Sequence, residues 1–166
     1  MEKYEKLPLP AQEIVDKLEL EKSEEGVYVK SVYKSPNCYA QDKERFAATT
    51  AYVLTAFAAP SRWHRLDCDE IWHFYNGKPI DVFLFFADRL EKITFGPNFL
   101  DGEQPKIVIP KGTVFGALVK DKEDWCLFGC TCVPGFTKKS CELIEKDNPF
   151  FDNFTEHQEL IEKLTK

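Results

Sequence analysis

The stretch Ser61–Gly77 holds the residues of this chain best suited to chemistry. His64 and Glu70 lie in it, with Arg62, Arg65, Asp67, Asp69 and His73 around them and Trp63, Trp72, Phe74 and Tyr75 between them. Polar groups are costly to bury. An imidazole and a carboxylate set among strand-type aromatics therefore point to a hollow that holds something. In a dry pocket the two make a general acid/base pair. Burial raises the pKa of the acid, a neighbouring carboxylate favours protonated imidazole, and proton-transfer enzymes use such perturbed pairs. On one strand His64 and Leu66 face the same way, and Trp72 shares the parity of Glu70. Trp72 is thus expected at the pocket wall, where an aromatic face suits a sugar or a nucleobase.

Blander roles compete for the same residues. His64 hydrogen-bonded to Glu70 would simply hold two strands in register, as buried polar pairs do in some folds. His73 lies three residues after Glu70, so a regular strand turns it to the opposite face unless a bulge intervenes. His157 belongs on a solvated helix face. Asp67 and Asp69 read as a solvated turn, since the alternating oxygen ligands and glycine of a Ca²⁺ loop are missing. Cys126, Cys130 and Cys132 share one face of a strand. No second Cys/His pair follows at zinc-ligand spacing, so they read as buried, inert thiols. Cys38 and Cys68 fall in loops and are expected to be the exposed, oxidisable ones.

The elements that must position these residues are mostly strands. A helix with Pro10 in its first turn and Ile14, Val15 and Leu18 on one face fills the N-terminal region, with a polar loop to residue 25. Strand-type segments follow at 27–33, 46–57, 63–66, 71–75, 80–86, 90–95, 107–109, 114–120, 125–133 and 141–144. Asn76-Gly77-Lys78-Pro79 and Pro134-Gly135 are strong turn signals. Residues 153–166 read as a closing helix, with Thr155 and Gln158 as a capping box and Leu160, Ile161 and Leu164 on one face. Short strands at regular spacing with Gly/Pro turns imply an all-β sandwich or barrel, residues 27–144, with a short helix at each end.

A chain of 166 residues with 43% apolar content makes about one globular domain with a substantial core. Its 14 phenylalanines imply a thick apolar interior or a large interface. A formal net charge of −6 disfavours nucleic acid and anionic membrane as partners. The first residues lack an apolar signal region, and no run of 18 apolar residues exists, so a cytoplasmic protein without a membrane span is expected. The six cysteines then read as reduced thiols.

In register, His64, Leu66, Glu70 and Gly77 occupy the places of the first cupin motif, and Pro110, Gly112 and Phe115 those of the second. The runs Trp63-His64-Arg65-Leu66, Asp69 to Gly77 and Gly129 to Phe136, with Glu25-Gly26-Val27-Tyr28, resemble the cupin branch catalogued as domain of unknown function 985. That resemblance implies a double-stranded β-helix, a jelly-roll barrel, spanning residues 1–166 as one domain. It also implies a site of three His and one Glu around Fe, Mn, Ni or Zn. Here Leu66 and Phe115 replace two of the His, and neither can coordinate. A metal site usually needs at least three protein ligands, so no cofactor is expected. The weaker alternative is a degenerate metal enzyme using His64, Glu70 and His73.

Metal-free cupin epimerases of deoxysugar nucleotides offer a further resemblance, in which His64 would be the base at a carbon beside a carbonyl. Tyr52, Tyr75 or Tyr28 would then be the opposing acid, and Arg62 or Arg65 would hold a diphosphate. The expected function is a cytosolic small-molecule-binding cupin with a carbohydrate or nucleotide-sugar ligand, in its enzymatic form a metal-independent epimerase or isomerase. His64 and Glu70 are the expected catalytic residues, and Leu66, Trp72, Phe115, Tyr52 and Arg65 the pocket. The rivals are the metal-dependent enzyme and a non-enzymatic, storage-like cupin whose interior is filled. A homodimer is expected, because strands 80–86 and 46–57 carry more apolar surface than one small barrel needs.

Overall fold

The computed structural model describes residues 6–165. In chain order it contains α1 (Leu9–Leu18), β1 (Glu21–Lys22), β2 (Tyr28–Lys34), β3 (Cys38–Tyr39), β4 (Asp42–Phe46), β5 (Thr49–Ala56), β6 (Ser61–Leu66) and β7 (Asp69–Gly77). Then follow β8 (Ile80–Phe85), β9 (Leu90–Phe95), β10 (Lys106–Ile109), β11 (Val114–Leu118), β12 (Trp125–Val133), β13 (Cys141–Leu143) and α2 (Gln158–Lys163). The strands form a six-stranded sheet, β1-β2-β5-β12-β7-β10, and a five-stranded sheet, β13-β6-β11-β8-β9, with β3-β4 as a separate hairpin. The two large sheets do not close into one ring. They pack face to face as a jelly roll, and the shared core takes Val53, Trp72, Phe128 and Cys126 from one and Ile80, Val82, Leu84 and Phe115 from the other.

Strand parity decides which side chains meet. On β6, His64 and Leu66 point inward, while Trp63 points to the outer face, where the C-terminal segment covers it. The Trp63 indole donates to the Ile161 carbonyl at 2.9 Å, and its ring packs on Phe85 and Phe151 at 5.1 and 5.9 Å. Phe85, Phe151, Phe154, Ile161 and Leu164 complete this second core. The outer face of β5, with Leu54 and Ala56, is covered by Ala11 and Val15 of α1. The apolar surplus on strands 80–86 and 46–57 is thus largely consumed inside the chain by its own terminal segments. Each fully buried large side chain of this kind stabilises by about 2 kcal/mol.

The terminal helices are shorter than the sequence suggested. α1 starts after Pro8 and ends at Glu19, which adopts φ 53°. At the other end, 3₁₀ turns at Pro149–Asn153 and Thr155–His157 precede α2, and the Thr155/Gln158 capping box does not form: α2 begins at Gln158 with no side-chain cap. The long strand segment 46–57 is divided, its first residue belonging to β4.

Candidate functional site

Between the sheets lies a cavity of about 1170 Å³. Its inner wall is built by His64 and Leu66 of β6, Glu70 and Trp72 of β7, and Cys130 and Cys132 of β12. The loop before β2 and residues 136–138 also line it.

His64 is 6% exposed, and its ring packs on Phe115 at 4.1 Å. Its Nδ1 lies 2.6 Å from the Arg62 carbonyl oxygen. A carbonyl oxygen only accepts, so Nδ1 carries a proton, and in the neutral ring Nε2 is the nitrogen with the lone pair. Among the described residues no protein group bonds Nε2. Glu70 is 8% exposed. Its Oε1 accepts from the Cys130 thiol at 2.6 Å, and its Oε2 is buried without a hydrogen-bond partner. Burial pushes the Glu70 carboxyl up, and the opposing pull of His64 and the Cys130 thiol does not cancel it. Among the described residues no hydrogen bond or ion pair joins His64 to Glu70, so the expected register-holding pair is absent. The two groups face one hollow from different sheets.

Glu25 is a cavity residue that the sequence offered only as part of a family-like element. Burial pushes its carboxyl up, but the Ser23 hydroxyl, its own backbone amide and the nearby His64 together hold it below the ordinary glutamate range. The loop that carries it is strapped to β6. The Arg62 amide donates to the Glu25 carbonyl at 2.8 Å, and the Arg62 guanidinium donates to the Glu24 carbonyl at 3.1 Å and to Glu145 at 2.8 Å. Gly26 permits this approach, with φ +96° and space for no side chain against the Pro60 carbonyl.

Several expected pocket residues lie elsewhere. Arg65 faces outward by strand parity and binds Glu142 at 2.7 Å, so it is not a pocket residue. Arg62 is engaged as a strut. Tyr52 sits on the outer face of the six-stranded sheet, edge-on to Tyr75 at 6.0 Å, and Tyr28 packs in the same α1-covered cluster. None of these three tyrosines lines the cavity. Phe115 is buried behind the His64 ring instead of forming the wall. Leu66 and Trp72 are where parity put them.

The alternative metal trio is not assembled. His73 faces away, opposite Gly129 on β12 and Lys106 on β10. Leu66 and Phe115 leave the three-His, one-Glu set unfilled, so the residues present do not fit the metal that the fold implies. The donor cluster that the structure does bring together is Glu70, Cys130 and Cys132, with ligand atoms within 4.8 Å of one another. Cys68 is also buried, 1% exposed, and lies against Cys132, contrary to its expected exposure. Cys38 is exposed as expected. The Cys132 thiol draws the Cys130 pKa down, but burial and Glu70 outweigh it and push it up to about 12.

Two facing antiparallel sheets of this topology, with an inward His and Glu on successive strands, define a cupin. The chain belongs to the family described as Cupin superfamily (DUF985), whose model matches residues 12–144. Among solved structures it is similar to a protein from Shewanella oneidensis, at 29% identity and TM-score 0.86, over 94% of this chain and 97% of that one. It is also similar to a hypothetical protein from Leishmania major, at 25% identity and TM-score 0.84, over 93% and 98% of the two chains. A more distant likeness, of fold alone, is to Streptomyces PAC13 with uridine, at 14% identity and TM-score 0.51, over 77% and 87%. No curated protein matches the chain. Among the described residues no helix is long and apolar enough to cross a membrane.

Proposed function

We propose that this cupin binds a small molecule and moves a proton at a carbon next to a carbonyl, without a metal. The observation that carries this reading is the orientation of His64, whose Nδ1 is tied to the Arg62 carbonyl so that Nε2 is the nitrogen free to act as the base in the neutral ring. In the forward step Nε2 takes the proton, the C–H bond breaks, and its electron pair moves to the carbonyl oxygen. Glu70 supplies a proton to that oxygen, giving an enol. Delivery of a proton from water to that carbon from the other face, with the enol O–H proton passing back to Glu70 and the His64 proton to solvent, completes an epimerisation; where that carbon bears a hydroxyl, delivery of the His64 proton to the former carbonyl carbon, with the hydroxyl giving up its proton to solvent, completes an isomerisation.

The ligand class is a carbohydrate or nucleotide sugar. A cavity of about 1170 Å³ with the Trp72 ring in its wall has room for one. Lys34 and Lys138 in its lining offer charge to an anionic group. The same volume weighs against the storage-like alternative, which needs a filled interior. Six free cysteines support a reducing, cytoplasmic setting. A homodimer belongs to this reading too. β1 pairs β2 only at Tyr28 and Val29, which leaves an edge carrying half-exposed Val32 and Tyr33.

The test is exchange of carbon-bound hydrogen in D₂O, measured on a panel of keto-sugar nucleotides with wild type and His64→Asn. Exchange by the wild type that the variant loses is the expected result. No exchange by the wild type on any member removes the reading. A monomer by light scattering at micromolar concentration removes the dimer.

A further inference from the structure

We propose that Glu70, Cys130 and Cys132 form a binding site for one thiophilic divalent cation, Zn²⁺ or a similar ion, on the wall of the cavity. The cluster is set by sheet register. Cys132 lies directly opposite Glu70 on β7, and Cys130 opposite Trp72, so all three donors project from the same face of two paired strands. The Cys130 and Cys132 sulfurs are 3.8 Å apart. Two sulfurs held at about 2.3 Å from a tetrahedral zinc are themselves about 3.8 Å apart. The thiols thus already stand at one edge of a coordination tetrahedron.

Glu70 supplies the third donor. Its Oε1 is 2.6 Å from the Cys130 sulfur. In a zinc site an oxygen at about 2.0 Å from the metal sits about 3.5 Å from each sulfur. The carboxylate therefore swings by roughly 1 Å, about the freedom that one side-chain torsion provides. Its Oε2 is buried with no partner, a polar atom in want of a proton or a cation. All three residues line the cavity, which gives the ion a path in and leaves a fourth position for water or a ligand atom.

The donor set selects the ion. Two thiolates and one carboxylate favour Zn²⁺ or Cd²⁺ over Mg²⁺, Mn²⁺ or Ca²⁺. Binding replaces the two thiol protons, and the carboxyl proton that the reaction proposed above assigns to Glu70, by one cation. A loaded Glu70 then has no proton to give, so zinc opposes the proton transfer proposed above. Metal binding is measured without any substrate, and its failure is distinguishable from failure of that reaction.

The experiment uses the full chain, reduced and carrying no polyhistidine tag. It is loaded with Zn²⁺, dialysed and analysed by plasma mass spectrometry, and in parallel titrated with Co²⁺ under an inert atmosphere. One ion per chain is expected, with the sulfur-to-cobalt charge-transfer absorption and the strong visible bands of tetrahedral cobalt. Cys130→Ser and Cys132→Ser weaken retention at least about tenfold, whereas Cys38→Ser and His73→Gln leave it unchanged. Sub-stoichiometric metal, cobalt bound without the charge-transfer absorption, or retention lost in His73→Gln would each overturn the proposal. The wild-type cobalt spectrum decides the matter even if a cysteine variant fails to fold.

Discussion

Replacing Gly26 by alanine isolates the contact that holds Glu25 at the cavity. Two penalties add. The backbone at Gly26 has φ +96°, where a side chain costs about 1–2 kcal/mol. The new Cβ would also lie 2.6 Å from the Pro60 carbonyl oxygen, which belongs to the backbone and cannot rotate away. Relief requires the loop to retreat from β6, which stretches the 2.8 Å bond from the Arg62 amide to the Glu25 carbonyl. A lost hydrogen bond of this kind is worth about 1 kcal/mol. The sum is about 2–3 kcal/mol, or a fall in Tm of about 4–12 °C for a chain of this size.

Gly112 is the control. It too has a positive φ, +80°, but a Cβ there meets nothing within 4 Å. Gly112→Ala should carry the torsional penalty alone, about 1–2 kcal/mol. Urea and thermal unfolding, followed by tryptophan fluorescence, measure both variants. If Gly26→Ala is no more destabilising than Gly112→Ala, the loop is not held in the way described, and Glu25 has no fixed place beside His64.

Glu25 has a depressed pKa in the folded state. Its carboxylate therefore contributes stability above the unfolded glutamate pKa, about 4.3, and that contribution is lost as the pH falls through the lower, folded value. Glu25→Gln should be less stable than wild type near neutral pH and should converge with it in acid, by urea midpoints at the two pH values; a gap independent of pH refutes this. Arg45 donates to Asp67 at 2.7 and 3.2 Å and to the Gly135 carbonyl at 2.6 Å. Asp67 is half exposed, so its share is small, and Arg45→Met should cost about 2 kcal/mol, chiefly from the orphaned Gly135 carbonyl; a loss under about 0.5 kcal/mol by chemical denaturation contradicts that account. Under native conditions iodoacetamide should modify Cys38 first, because thiol–thiol hydrogen bonds and burial raise the pKa of Cys68 and Cys132, and burial raises that of Cys126 and Cys130. Peptide mass spectrometry at short times checks the order, and early labelling of Cys68 would contradict it.

The strands and the inward parity of His64, Leu66, Glu70 and Trp72 were legible in the sequence, because a period of two fixes faces once a strand is recognised. The same rule should have excluded Arg65 and Tyr52. Arg65 alternates with His64, and Tyr52 alternates with Val53, which faces the core. Cys68 read as a loop thiol because strand periodicity stops at Leu66, yet the turn carrying it folds back beside Cys132. Glu25 was missed because its place depends on a tertiary strap from Arg62, which no local pattern announces. The fourteen phenylalanines were an ambiguous signal. They suggested a partner surface, and a large share serve the outer core beneath the C-terminal segment.

The position of the metal-capable donors follows from which sheet has kept them. The places where the cupin pattern sets its second and third His are Leu66 on β6 and Phe115 on β11, neighbouring strands of the five-stranded sheet. Hydrocarbon there removes coordination from those two places and leaves the imidazole of His64, packed on Phe115, as that sheet's remaining member of the ligand pattern. On the facing wall Glu70 is retained, and the register that pairs β7 with β12 brings Cys132 opposite it and Cys130 two residues along. A search for ligands along the sequence stops at the Cys-x-Cys pair, because its third partner lies sixty residues away, at Glu70. The cavity therefore has two unlike walls: a base backed by hydrocarbon, and a carboxyl backed by sulfur. A proton and a soft cation compete for the second wall while the first stays unchanged, so substitutions at Cys132 should alter metal retention without touching the bond from His64 Nδ1 to the Arg62 carbonyl.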